Sequence, residues 1–144
     1  MNWYPPFLGA GIRIKERSPD FRSFLVEMPL LFRNRNYVGV QFGGSLYSMC
    51  DPFFMLILLE NLGPEYIVWD KSARIEFLKT GTGTVRARFE IGEERLADIR
   101  KTVQEKRKTE EFFTAEVLDE KNEVIARVEK TIYIRRRGRL KFQS

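Results

Sequence analysis

From Gly11 to Arg17, Ile12 and Ile14 alternate with Arg13 and Lys15, and the alternation stops at Ser18, Pro19 and Asp20. A period of two followed by turn formers predicts a strand and a hairpin turn. Phe21 to Met28 sets Phe24, Val26 and Met28 against Ser23, Leu25 and Glu27 and ends at Pro29, which predicts a second strand. A polar, basic loop from Arg33 to Asn36 and an apolar stretch to Phe42 lead to Gly43 and Gly44. From Ser45 the period lengthens. Leu46, Met49, Cys50, Phe53, Phe54, Ile57 and Leu58 recur at helical spacing with few polar residues between them, the pattern of a buried helix. Pro52 removes a helical hydrogen bond, so a kink is expected near Cys50 to Pro52. Asn61, Leu62, Gly63 and Pro64 supply the stop.

The second half reads as strands interrupted once. Ala73, Ile75 and Phe77 alternate with charged residues, as do Val85, Ala87, Phe89 and Ile91. Gly81, Thr82 and Gly83 between the two runs predict a hairpin. Arg95 to Arg107 carries Leu96, Ile99 and Val103 among charges, a surface helix with one apolar stripe. Phe113, Ala115 and Val117 then alternate up to a turn at Asp119 to Asn122, and Val124 to Ile134 forms a long last strand. The resulting expectation is an α+β fold in which a mostly antiparallel sheet wraps one helix that is apolar nearly all round.

Composition narrows this picture. The 144 residues, 43% hydrophobic and 31% charged, suit one domain. The net charge of +5 lies wholly in residues 135–144, where Arg135, Arg136, Arg137, Arg139 and Lys141 meet no acid. Residues 1–134 are therefore expected to form a neutral domain and residues 135–144 a basic tail. Such a tail reads as a solvated terminus, and no specific nucleic-acid partner is expected. There is no histidine, which excludes imidazole-based triads and histidine-dependent hydratases. With one cysteine, Cys50, and no histidine there is no Cys/His metal set, and no metal is expected. The longest apolar run, Pro52 to Leu59, is far short of the roughly 20 residues that span a bilayer. No signal peptide is read at Met1 to Phe7, so a cytoplasmic location is expected.

Chemistry concentrates between Asn36 and Asp51. Paired glycines at a helix start permit close approach and leave the first amides unpaired, a site suited to an oxyanion. Asp51 follows among Met49, Cys50, Phe53 and Phe54, where a lone carboxylate would cost several kcal/mol. It therefore has a partner or faces a cavity. Local sequence leaves a second reading open, in which Asp51 caps a helix restarting at Pro52. Tight loop packing equally accounts for Gly43 and Gly44, and core burial for Cys50.

Gly43-Gly44, a buried helix carrying Asp51, the strand from Ala73 to Lys79, a glycine turn and the strand from Thr84 to Ile91 together resemble the hotdog-fold acyl-CoA thioesterases. The likeness is greatest to the phenylacetate-pathway type and to an uncharacterised branch beside it, and it covers roughly residues 10 to 134. The family's helix motif is His-Gly-Gly, seven residues, then Asp or Glu. Gly43, Gly44 and Asp51 match, while Phe42 stands in place of the histidine. The resemblance implies a hotdog fold, with Asp51 as base or nucleophile, the Gly43 and Gly44 amides as oxyanion donors, and Asn36 positioning water or a carbonyl. It implies substrate contacts from Phe42, Ser45, Ser48, Asp70, Lys79 and Arg88. The substrate is an acyl-CoA, so coenzyme A is part of the substrate and no separate cofactor is needed. The resemblance also implies a homodimer, or a dimer of dimers, with Asp51 of one chain facing Gly43 and Gly44 of the other. The alternative is a hotdog protein that binds acyl-CoA or lipid without turnover.

Overall fold

In the computed structural model, which describes residues 1–138, the elements run α1 (Pro5–Ala10), β1 (Arg13–Arg17), β2 (Ser23–Met28), a 3-10 turn (Phe32–Asn34), α2 (Gly43–Ser48), α3 (Phe53–Leu62), β3 (Tyr66–Phe77), β4 (Val85–Glu90), α4 (Glu93–Lys106), β5 (Lys108–Leu118) and β6 (Val124–Arg136). The six strands form one sheet in the order β1-β2-β4-β5-β6-β3, with every pairing antiparallel. The two-residue periods seen in the sequence decide which side of each strand is dry. Phe24, Val26 and Met28 on β2 and Val85, Ala87 and Phe89 on β4 are buried, and their neighbours face out. Arg135 and Arg136 belong to β6, whereas Arg139 and Lys141 of the expected basic tail lie outside the described residues.

The dry face receives α3. Phe53, Ile57 and Leu58 have no exposed surface, and Phe53 stacks on Phe89 of β4 at a centroid distance of 4.9 Å, with Phe24 of β2 at 5.3 Å and Phe7 of α1 at 5.9 Å. The opposite side of α3 is less covered, since Met55 and Leu56 are half-buried and Leu59 is exposed. The α4 helix covers its neighbourhood with the expected stripe of Leu96, Ile99 and Val103.

Three expectations need correction. Gly81 to Gly83 does not close a hairpin between β3 and β4, because β3 pairs with β6 and β4 with β2 and β5. The connection is instead held to the segment before α2, where the Gln41 backbone N–H donates to the Gly81 carbonyl at 2.8 Å. A Cβ at Gly81 would lie 2.8 Å from Gln41 Cγ, so the residue must lack a side chain there. The central helix is not kinked but broken, into α2 and α3, over Met49 to Pro52. The short α1 went unread because its six residues offer hardly more than one turn of periodicity.

Cys50 lies in that break with no exposed surface, and burial pushes its thiol up to about 12. The native chain at pH 8 should accordingly resist an aromatic disulfide reagent for hours and react fully within minutes in denaturant. Fast labelling without denaturant would show that the α2–α3 break opens.

Candidate functional site

The break between α2 and α3 frees residue 51 from the helical ladder and turns its side chain toward the sheet. The first helix ends at Ser48, and α3 starts after Pro52 with no side-chain cap at all. The Asp51 carboxylate therefore does not cap α3; it goes elsewhere. Its Oδ1 accepts the Tyr47 hydroxyl at 2.9 Å and the Lys130 ammonium at 3.0 Å. Its Oδ2 has no hydrogen-bond partner among the described residues, and the side chain is 50% exposed.

Lys130 comes from the middle of β6, in phase with the buried Val128, Ile132 and Ile134, and is 1% exposed. Its Nζ also lies 3.0 Å from Asp70 Oδ2 and 3.3 Å from the Tyr47 hydroxyl, so all three ammonium donors have partners. The register of β3 on β6 puts Asp70 on the same face. Asp70 sits opposite Ile132, two residues from Lys130 on the same face, and the bulge that follows at Asp70/Ser72 brings Ala73 opposite Lys130.

The electrostatics follow from burial. Burial alone would take the charge off Lys130, but hydrogen bonds to Asp51 and Asp70 outweigh it and hold the ammonium above its ordinary range. Burial raises the Asp70 carboxyl against the pull of Lys130. Tyr47 is raised by burial and by its bond to Asp51, which keeps it a neutral donor. Counting formal charges, the cluster holds two carboxylates and one ammonium. Asp70 is 26% exposed at its side chain, and its Oδ1 is buried without a partner among the described residues.

The other expected site residues divide. At the start of α2, Ser45 and Leu46 donate their amides to the Phe42 carbonyl, and the Gly43 and Gly44 amides have no backbone acceptor among the described residues. Two rings pack against the α-carbons of these glycines. A Cβ on Gly43 would lie 2.9 Å from Phe77 Cζ, and one on Gly44 would lie 2.6 Å from Phe42 Cε1. Phe42, 54% exposed, also lines a cavity of about 510 Å³ with Phe32, Arg35, Asn36 and Tyr37. Asn36 Oδ1 is taken by the amides of Val38 and Val40, so the side chain shapes its own loop first. The Ser48 hydroxyl donates to the Gly44 carbonyl at 2.8 Å and is spent on α2, while Ser45 is buried beneath the helix start.

Lys79 and Arg88 are not brought to Asp51. Lys79 pairs with Glu123 at 3.1 Å beside the Asp119 to Glu123 turn. Arg88 projects from the wet side of β4 toward Glu16 and Ser23, opposite the face that carries Phe89. Lys130 and Tyr47 were missed, although the sequence held a signal for the lysine: one charge in phase with three apolar residues of β6. Among the described residues no group of three Asp, Glu, Cys or His side chains could hold a metal, and no helix is long and apolar enough to cross a membrane.

A family model described as a domain of unknown function, DUF4442, matches residues 1–134. The chain belongs to the DUF4442 family. No curated protein matches this DUF4442 chain in sequence. Solved structures do match it in fold. A Pseudomonas aeruginosa protein of unknown function, described as a probable thioesterase, superposes with a TM-score of 0.81 at 20% identity, covering 89% of this chain and 85% of its own. A Chlorobaculum tepidum protein of unknown function gives 0.75 at 16% identity, over 94% and 89% of the two chains. A thioesterase from Haemophilus influenzae gives 0.69 at 15% identity, over 99% and 90%. This DUF4442 chain thus has the hotdog fold shared by thioesterase-like proteins, as its sequence resemblance implied.

Proposed function

We propose that the chain hydrolyses an acyl-CoA thioester, with Asp51 as general base. The observation that carries this reading is the Asp51 carboxylate itself, fixed through Oδ1 and open at Oδ2. In the proposed reaction Oδ2 takes a proton from water as the oxygen attacks the thioester carbonyl, and the oxyanion is met by backbone amides. The C–S bond then breaks, and the thiolate leaves with a proton, giving a carboxylate and free coenzyme A. Direct attack by Asp51, through a mixed anhydride, uses the same open oxygen.

The amides of Gly43 and Gly44 are the proposed oxyanion donors. Asp51 lies eight residues on from Gly43, beyond the end of α2, a rise of about 12 Å at helical pitch and too far to serve one carbonyl within one chain. A homodimer resolves the distance by pairing Asp51 of one copy with the amides of the next. The unpaired edge of β3 and the half-covered side of α3, at Met55, Leu56 and Leu59, are surfaces such a dimer would cover. Because α2 has six residues, its donors act as individual amides and not through a long helix dipole. The aromatic cavity beside Phe42 and Asn36 suits an apolar or aromatic acyl group.

Thiol release from a panel of short, medium-chain and aromatic acyl-CoA esters tests the proposal, and buried Cys50 leaves the readout undisturbed. Saturable turnover of at least one ester is expected. Light scattering after gel filtration should give a mass twice 17.0 kDa or a multiple of it, and a strictly monomeric active enzyme would rule out the composite site. One observation favours a binding protein without turnover, namely the Phe42 ring packed against the α-carbon of Gly44 where the family has histidine. Tight acyl-CoA binding with no thiol release from any ester would establish that alternative.

A further inference from the structure

Lys130 is the most deeply buried charged side chain among the described residues, and its ammonium is aimed at the one carboxylate on which the proposed chemistry rests. A buried ammonium needs anionic partners, and one would suffice. Here there are two, from different elements. Asp51 comes from the break between α2 and α3, and Asp70 from the bulged stretch of β3. With each carboxylate oxygen 3.0 Å from the same nitrogen, the two acids stand close enough to repel one another strongly if the cation were absent.

We propose that Lys130 is a positioning residue for Asp51. It ties down Oδ1 together with Tyr47, leaves Oδ2 open, and stands as the one cation between the carboxylates of Asp51 and Asp70. This rests on the thioesterase reading for its consequence in catalysis, but not for the geometry. Lys130 touches no substrate. Its three donors are already committed to Asp51, Asp70 and Tyr47, which leaves none to act on a carbonyl.

A consequence specific to this arrangement is that removing the cation should turn the two acids into a proton-sharing pair. In Lys130→Met the acid limb of the kcat/KM–pH profile should move up by one pH unit or more. Each unit costs about tenfold in rate below the limb. The loss should fall on kcat with KM nearly unchanged. Adding Asp70→Asn to Lys130→Met should bring the limb back, because the second charge is then gone. A merely structural lysine predicts no such rescue.

Since Lys130→Met is a demanding substitution, Lys130→Gln serves as the second variant; it keeps a donor of similar reach without the charge and should show the same displaced limb. A readout free of turnover is the pH titration of the carboxyl carbon resonances of the cluster by NMR. In either Lys130 variant a cluster resonance should titrate at higher pH than in the native chain and return with Asp70→Asn. If the native chain hydrolyses no thioester, the functional reading fails while this titration still decides the role of Lys130. An unmoved acid limb and unmoved carboxyl titration in folded Lys130→Gln would overturn the proposal, as would a loss confined to KM.

Discussion

Asp51→Asn is expected to lower kcat for thioester hydrolysis by about 10² to 10⁴, the usual contribution of a positioned general base, while the far-ultraviolet dichroism stays native. The amide keeps an oxygen in the position where Oδ1 accepts from Tyr47 and Lys130. What it loses is the open oxygen's ability to take a proton. The side chain is half exposed, so the substitution opens no cavity in the core. Steady-state kinetics on the best ester of the panel make the measurement, and KM should change much less than kcat. Undiminished hydrolysis by folded Asp51→Asn would remove Asp51 from the chemistry and with it the proposed mechanism.

The largest stability effect is expected at Phe53. Its ring is fully buried and lies between Phe89, Phe24 and Phe7, so one side chain joins α3 to β4, β2 and α1. Phe53→Ala removes the burial of a whole ring, leaves a cavity and breaks three aromatic pairs, for a total of about 3 to 5 kcal/mol. A domain of this size has a total stability of about 7 to 20 kcal/mol. The melting temperature should therefore fall by roughly 10 °C or more. Leu59→Ala, on the open side of the same helix, is the control and should cost well under half as much in the monomer. Equal losses at the two positions would mean that the open side of α3 is buried in solution, as the dimer requires.

Local patterns in the sequence carried most of the architecture. The alternation at Phe24, Val26 and Met28, the helical spacing from Leu46 to Leu58 and the stop at Gly63-Pro64 each depend on neighbours within one or two turns, and each element appears where its pattern lies. Strand pairing is not local. The run of Gly81, Thr82 and Gly83 has hairpin composition, yet β3 pairs across the chain with β6, because β6 offers it a register of eleven partnered positions. Tertiary pairing overrode turn chemistry there.

The site was legible in part for the same reason. Asp51 stood out because a carboxylate among Met49, Cys50, Phe53 and Phe54 needs a partner, and it has one. That the partner is Lys130 depends on contacts between residues 79 positions apart, which no local pattern encodes. The capping reading of Asp51 gave way because its carboxylate binds an ammonium instead of a helix amide. Lys79 and Arg88 were chosen for their charge as substrate contacts, and strand alternation puts Arg88 on the side of the sheet away from Phe89 while Glu123 pairs with Lys79.

The place of β6 in the sheet ties this cluster to the order in which the chain is made. Asp51 and Asp70 emerge first, and their shared cation follows only with β6, after β4, α4 and β5 have been added. Because β3 pairs with β6 alone, the strand that fixes Asp70 in the sheet is the same strand that carries the cation. Docking of β6 thus completes the hydrogen-bonded sheet and the ion cluster together, so a chain arrested before residue 130 has neither a finished sheet nor a neutralised pair of acids.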